Sequence, residues 1–380
     1  MRVLLAPSNV ANQSTSIAAG LRARGHEVEI WNYGPSPNGF DVDRVIPDDR
    51  APGTYQRTLT EALDRGFDVF HFHTARSLVP GHGGVPPMWD LPVLRAARAR
   101  IVFTFHGSDV RLRSHHEADD QWSFYRFADI PCDEEKIAQR LAVIRTFAHQ
   151  LSVGSVLDQV YAPDATYVPK SLVLSRYEEV GAVRRKRPVV LHATRRRATK
   201  GTDLIVEQVT ALQAELDFEF RLVEGATHAE LLDVMGDADV VIEKLLGGDA
   251  GVLSLEAMAM GKVAVARIRP EVLARHPSMP VVSADPETFA QALRPVLSDP
   301  GLRDQLGRRG RCYVEEHHDA ALVAAQWEAL YTAARPSGAP PHPDWAVDPS
   351  PRRLEAAYEK IARLEEKLRE RESRSRRDNR

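Results

Sequence analysis

Between Met1 and Arg335 short apolar runs alternate with polar loops and stretches of helical spacing. Val3–Leu5, Val28–Trp31, "DVFHFH" (Asp68–His73), "IVFTFH" (Ile101–His106), Leu151–Ser155 and Thr166–Lys170 read as strands, and Thr15–Arg24 reads as a helix that Gly25 closes. The pattern then restarts. "RPVVLHA" ending at Ala193, "FEFRLVEG" (Phe218–Gly225), "ADVVIEK" (Ala238–Lys244), "KVAVAR" (Lys262–Arg267) and "MPVVSA" (Met279–Ala284) are strands, separated by helices predicted over Thr202–Leu216, His228–Met235 and Leu253–Met260. Strands alternating with helices predict parallel sheets with crossovers on both faces, here an α/β chain of two Rossmann-like halves. In such sheets ligands sit beyond the carboxyl ends of the strands, where the charged loops of this chain fall.

Beyond Arg335 the pattern changes. Pro336–Pro351 is a Pro-rich, extended linker. Leu354, Ala357, Ile361, Leu364 and Leu368 then occupy a and d positions among Glu, Lys and Arg, which predicts a short coiled-coil helix over 352–372. Residues 373–380 have the composition of a disordered tail. The expected division is an N-terminal domain over 1–175, a linker over 176–187, a second domain over 188–315 and a helix over 316–335 crossing back to the first domain.

At 380 residues the chain exceeds one comfortable core, in keeping with two domains. The net charge of −3 makes any basic cluster local and argues against nucleic acid as a partner. Two cysteines, Cys132 and Cys312, stand far apart without metal-spaced partners, which argues against a disulfide scaffold or a metal site and suits a reducing cytoplasm. The apolar start "MRVLLAPSNV" is too short for a signal peptide, and no run reaches the ~20 apolar residues of a membrane span.

One basic cluster changes the picture. In "HATRRRATKG" (His192–Gly201) an apolar strand is followed by Arg195, Arg196, Arg197 and Lys200 and then by a helix. Cations beside a helix N-terminus at a strand's carboxyl end make an anion site; a lone Arg triplet would read as solvated surface. A second loop, "GGDAGVLSLEAMAMGKVAVAR" (Gly247–Arg267), brings glycines to the start of another helix. There Gly251, Val252 and Leu253 offer backbone N–H groups, and Glu256 lies one turn in, where a carboxylate either accepts two ribose hydroxyls or simply favours the helix dipole.

These residues resemble glycosyltransferases of the GT-B fold, similar to the large retaining family 4, over roughly residues 1 to 333. "RRRATKGTDLI" and "SLEAMAMGKVAVA" carry the resemblance most strongly, with "FHGSDVR", "RGHEVEIW" and "YVEEHHDAALVAAQWEALY" in support. It implies that Arg195 and Lys200 bind the donor diphosphate, that Gly251, Val252 and Leu253 contact it through backbone N–H groups, and that Glu256 holds the nucleotide ribose. His106 would lie beside the donor sugar. Three positions depart from the family pattern. Gly248 stands eight residues before Glu256, where the family often has a sugar-reading Glu, with Asp249 and Glu243 as the nearby carboxylates. "PSNVANQSTS" (Pro7–Ser16) replaces a glycine-rich loop, and Pro169-Lys170 replaces Pro-Asn.

The remaining polar residues at strand ends are acceptor-side candidates. Asn9, Asn12 and Gln13 lie in the first strand-to-helix loop, where they bind a sugar or cap the helix. His71 and His73 share one strand face; His73 ends the strand, and Arg76 follows it. Asp109 sits in the loop after His106, while His317 and His318 read as surface. No metal motif occurs in the cleft loops and no cofactor is expected. Preorganised cations would then stabilise the leaving diphosphate. The reading is a hexosyltransferase-like enzyme taking a UDP- or GDP-sugar donor to an unidentified acceptor. Peripheral membrane contact, and an oligomer or partner through the coiled coil, are further expectations. The competing class is a catalytically degenerate GT-B protein that binds nucleotide or glycan and joins a complex through its C-terminal helix.

Overall fold

The computed structural model describes residues 1–36, 38–81, 85–181 and 185–333. The expected Pro-rich linker, coiled-coil helix and tail lie outside these residues. Seven parallel strands form the first sheet: β1 (Arg2–Ala6), β2 (Glu27–Tyr33), β3 (Arg44–Ile46), β4 (Val69–His73), β5 (Arg100–Phe105), β6 (Gln150–Val153) and β7 (Thr166–Tyr167), in the order β3-β2-β1-β4-β5-β6-β7. Five parallel strands form the second: β8 (Val189–Thr194), β9 (Glu219–Glu224), β10 (Val240–Lys244), β11 (Val263–Ala266) and β12 (Val282–Ser283), in the order β12-β11-β10-β8-β9. The strand order reverses between β1 and β4 in one sheet and between β8 and β10 in the other. Both reversals open crevices at carboxyl ends.

Local chemistry accounts for several boundaries. Asp133 caps the helix Glu134–Phe147 by accepting the Lys136 N–H at 3.0 Å. Thr227 and Glu230 form a capping box at the start of the helix His228–Gly236. Asp299 caps the helix Pro300–His317, whose first position is proline. Strand β3 and the helices Pro52–Asp64, Asp90–Ala96 and Arg113–Asp119 are not among the expected elements, although Thr54, Tyr55, Thr58, Leu59 and Ala62 of the first helix bury one face at helical spacing. The strand expected over Met279–Ala284 shrinks to two residues at the sheet edge.

The stretch expected as one crossing helix from residue 316 breaks at His318-Asp319, and a new helix spans Ala320–Ala333. Its Val323, Trp327 and Tyr331 pack with Val3, Leu5 and Ile17 in the first domain's core. This docking needs Gly20: a Cβ there would come within 2.2 Å of the Ala320 carbonyl oxygen. The two crossings between domains touch each other. Leu172 donates its N–H to His318 O at 2.8 Å and accepts the Ala320 N–H at 2.8 Å.

Elsewhere along their boundary the domains are clasped. Asp120 receives two 2.7 Å bonds from Arg267, with both side chains largely buried, and Asp119 pairs with Arg269. Phe124 and Tyr125 of the first domain pack on Leu246 of the second. Among the described residues no helix is long and apolar enough to cross a membrane.

Candidate functional site

Two cavities meet at the domain boundary. The larger, about 810 Å³, is lined by His106, Arg111 and Tyr161 of the first domain and by Arg196, Lys200, Lys244, Asp249 and Arg269 of the second. The smaller, about 230 Å³, is lined by Arg195, Val223, His228, Val252, Leu253 and Glu256, with Ala11, Asn38 and Phe40 reaching over from the first domain. Lys200 lines both.

The basic loop divides between these spaces. After β8 the chain makes a short helix, Arg197–Lys200, and Gly201 starts the next at Thr202. His192 at the heart of β8 ties this turn down, with Nε2 2.9 Å from Thr202 Oγ1. Arg195 donates to Ala226 O at 2.6 Å on the rim of the smaller cavity. Arg196 is exposed and lines the larger one. Arg197 pairs with Asp203 and, at 2.9 Å, with Glu224, so it braces the loop from outside.

Lys200 is not an open phosphate ligand. Its Nζ lies 2.8 Å from Glu243 Oε1. Glu243, at the end of β10, is buried, and its Oε2 accepts the Gly251 N–H at 2.7 Å and the Ser254 hydroxyl at 2.5 Å. Burial opposes ionisation here, but Lys200, Lys244 and Ser254 together hold the carboxyl below the usual carboxylate range. Gly251 is matched to this arrangement, because a Cβ would stand 1.9 Å from Glu243 Oε1. Two expectations change. The Gly251 amide is already bonded, which leaves the first-turn amides of Val252 and Leu253 beside the smaller cavity. Glu243 has both oxygens engaged inside the protein and lines neither cavity. Asp249 does line the larger cavity, 3.7 Å from Lys170. Lys244 lines it too, its ammonium pushed down to about 8 by burial.

Glu256 is buried beneath the smaller cavity. Its Oε1 accepts the Tyr177 hydroxyl at 3.0 Å and lies 2.7 Å from His228 Nε2. Burial, then Glu256, raises the Tyr177 hydroxyl far above its ordinary range. The Phe40 ring meets His228 edge-on at 5.2 Å, and Asn38 O accepts the His228 N–H at 3.3 Å. The sequence analysis missed these four residues. His228 had a usable signal, since it begins a helix just after a strand's carboxyl end; Tyr177, Asn38 and Phe40 had none.

On the first domain's side His106 lines the larger cavity, with Nε2 3.0 Å from His73 Nδ1. Asp109 accepts the His106 backbone N–H at 2.9 Å, and burial raises its carboxyl to about 7. It therefore shapes the His106 loop. Asn9 holds its own loop: its side chain accepts the Ser14 N–H and donates to Thr15 Oγ1, and its backbone N–H donates to Asn32 Oδ1. Gln13 exchanges two bonds with the Ser171 backbone. Both side chains are committed to structure, against the acceptor-side expectation. Asn12 is buried in a left-handed backbone conformation, and its Oδ1 has no partner among the described residues. Arg76 is exposed near Arg140 and lines neither cavity. His73 is enclosed and reaches the cavity only through His106. His318 is buried rather than on the surface, its Nδ1 2.7 Å from Lys170 O.

No protein-family model matches the chain, and no curated protein does. Solved structures do. Sucrose-phosphate synthase from Thermosynechococcus elongatus superposes with a TM-score of 0.62 at 16% identity, covering 87% of this chain and 98% of that one. The catalytic domain of starch synthase IV from Arabidopsis thaliana, bound to ADP and acarbose, gives 0.58 at 13% identity over 88% and 99%. Anabaena HepE in complex with UDP and glucose gives 0.56 at 13% identity over 87% and 99%. At these identities the likeness establishes the fold. The chain has the GT-B architecture, two Rossmann-like domains facing a cleft.

Proposed function

We propose that the protein is a glycosyltransferase that moves a sugar from a nucleoside diphosphate sugar, UDP- or GDP-linked, to an acceptor hydroxyl with retention and without a metal. The carrying observation is the position of Lys200, which lines both the Glu256 pocket and the larger cavity. The nucleoside occupies the smaller cavity, with the ribose on Glu256. The diphosphate lies against Lys200, Arg195 and the first-turn amides of Val252 and Leu253. The sugar enters the larger cavity beside His106 and Asp249. The bond from the anomeric carbon to the phosphate oxygen breaks while the acceptor oxygen attacks from the same face, and the acceptor proton passes to the departing phosphate oxygen. The fixed cations stabilise the charge that develops there. Similarity to structures holding ADP, or UDP and glucose, supports the donor class. The reading places the protein in the cytoplasm, in keeping with two free cysteines, and assigns the 352–372 helix to self-association or partner binding.

One observation favours a second reading. Glu243 occupies the Gly251 amide and neutralises Lys200, which would suit a degenerate protein that binds nucleotide without turnover. A thermal-shift panel of UDP, GDP, ADP and TDP, followed by their sugars, separates the cases. A ligand at ~100 times its Kd stabilises by about 2.7 kcal/mol. Stabilisation with sugar release or transfer supports the enzyme, stabilisation without turnover supports the binder, and no response to any nucleotide overturns both.

A further inference from the structure

Three imidazoles run in a row from the crossing helix to the larger cavity. His73 stacks on His71 at 4.5 Å and on His106 at 5.3 Å. The far end of the row is tied into the fold. Ser152 Oγ lies 2.6 Å from Thr104 Oγ1 and 3.3 Å from Phe103 O. His71 Nε2 lies 2.6 Å from Thr104 Oγ1, and His71 Nδ1 lies 2.7 Å from the Tyr331 hydroxyl. His71, held neutral by burial, thus anchors the crossing helix.

The near end has only two arrangements. Burial holds the His106 imidazolium down to about 4 and that of His73 well below the ordinary range, so both rings are neutral near pH 7. A neutral imidazole has one donor and one acceptor nitrogen, so the 3.0 Å contact between His73 Nδ1 and His106 Nε2 carries a single proton. His73 Nε2 is buried without a partner among the described residues. If the shared proton belonged to His106, His73 would carry its own on Nε2 as an orphaned buried N–H. If it belongs to His73, Nε2 is a bare lone pair. Proteins tolerate unpaired buried acceptors better than orphaned N–H groups.

We infer that His73 donates through Nδ1 to His106 Nε2, and thereby presents His106 to the larger cavity as a neutral Nδ1–H donor for a sugar hydroxyl or phosphate oxygen. Which ring nitrogen of a histidine carries the proton is set by the bond the other one makes. His73 is a positioning residue in this scheme. His106 has no lone pair facing the cavity and is not the base that takes the acceptor proton. That last consequence rests on the transferase reading and agrees with a proton passing to the leaving phosphate; the tautomer itself does not depend on it.

The test begins with the free protein. Selective ¹⁵N-histidine labelling and long-range ¹⁵N–¹H correlation at pH 7.5 distinguish protonated from bare ring nitrogens, with His106→Gln and His73→Asn assigning the signals. The expected result is a protonated Nδ1 and a bare Nε2 for His106. A protonated Nε2 on His106 overturns the inference whatever the protein's activity. The second arm uses turnover with a donor found in the nucleotide panel. His73→Phe should lower kcat about tenfold with donor Kd little changed, the size of one lost hydrogen bond in the transition state. His73→Asn, whose amide can donate near the Nδ1 position, should recover most of that loss. Equal losses in two folded variants, or parallel losses in kcat and Kd, would reduce His73 to core packing.

Discussion

Replacing Glu243 with alanine should weaken the fold and tighten nucleotide binding in the same protein. The carboxylate holds three partners: Lys200 Nζ at 2.8 Å, the Gly251 N–H at 2.7 Å and the Ser254 hydroxyl at 2.5 Å. Removing one partner of a buried ion pair typically costs about 3–5 kcal/mol, because the other charge is stranded. The Lys200 side chain is 24% exposed and can rehydrate through the cavities it lines, which sets the expectation near the lower end, about 3 kcal/mol. The same change frees an ammonium and an amide at the junction of the two cavities. Charge-assisted hydrogen bonds are worth roughly 1.5–3 kcal/mol each, and 1.4 kcal/mol is tenfold in affinity. Recovering even one of them for a diphosphate should therefore tighten UDP or GDP by about 10- to 100-fold. Urea denaturation measures the first effect and titration calorimetry on the folded variant the second. A variant that is destabilised yet binds nucleotide no better than wild type would refute the competition argument. It would show that Glu243 organises Lys200 for the ligand instead of occupying the ligand's place.

Lys200→Ala should abolish most transfer, by about 10²–10³, and should also destabilise by about 3–5 kcal/mol because Glu243 loses its counter-ion; combining it with Glu243→Ala should restore much of the stability, as a double-mutant cycle would show. Acid should unfold the protein early. His71, His192 and His318 are buried and neutral, with imidazoles pushed down by burial to about 3, 4 and 4. The unfolded chain takes up these protons below about pH 6.5, so stability present above that value is lost as pH falls toward 4, at roughly 4 kcal/mol per pH unit near pH 5; a flat denaturation midpoint from pH 7 to 4.5 would contradict this. Asp120→Ala breaks the interdomain pair with Arg267, and small-angle scattering should give a larger radius of gyration than wild type; an unchanged value would show that the clasp does not hold the cleft closed. A chain ending at Arg335 should fold like the full protein but sediment as a species of fewer protomers, and an identical monomeric state for both would rule out self-association through the tail.

The sequence disclosed what depends on local chemistry. Alternating apolar runs and glycine-punctuated helices are short-range patterns, and they marked most strands and the two loops that face the cleft. What stayed hidden depends on residues far apart in the chain. Gly251 reads as an open helix start until the fold brings the end of β10 against it and Glu243 takes its N–H. Phe40 and Asn38 belong to a loop with no chemical signature, yet they wall the smaller cavity from the opposite domain. His318 sits in a charged stretch and reads as surface, but the break before Ala320 turns it inward onto Lys170 O. Asn9 and Gln13 show the reverse. Their polarity drew attention to a loop in which they satisfy buried backbone groups, a role that composition does not separate from ligand binding.

The contact between the two crossings, at Leu172, His318 and Ala320, has a mechanical consequence. Domains joined by one strand of chain can swivel and tilt about it freely. Here two connections are stitched side by side by a pair of 2.8 Å hydrogen bonds, and the second continues into a helix packed in the first domain's core. A doubled strap resists torsion about its own length and yields most readily to bending across it. The Asp120–Arg267 clasp adds a second fastening across the domain boundary. Phe40 and His106 of the first domain are thereby held in one register against Glu256 and Lys200 of the second.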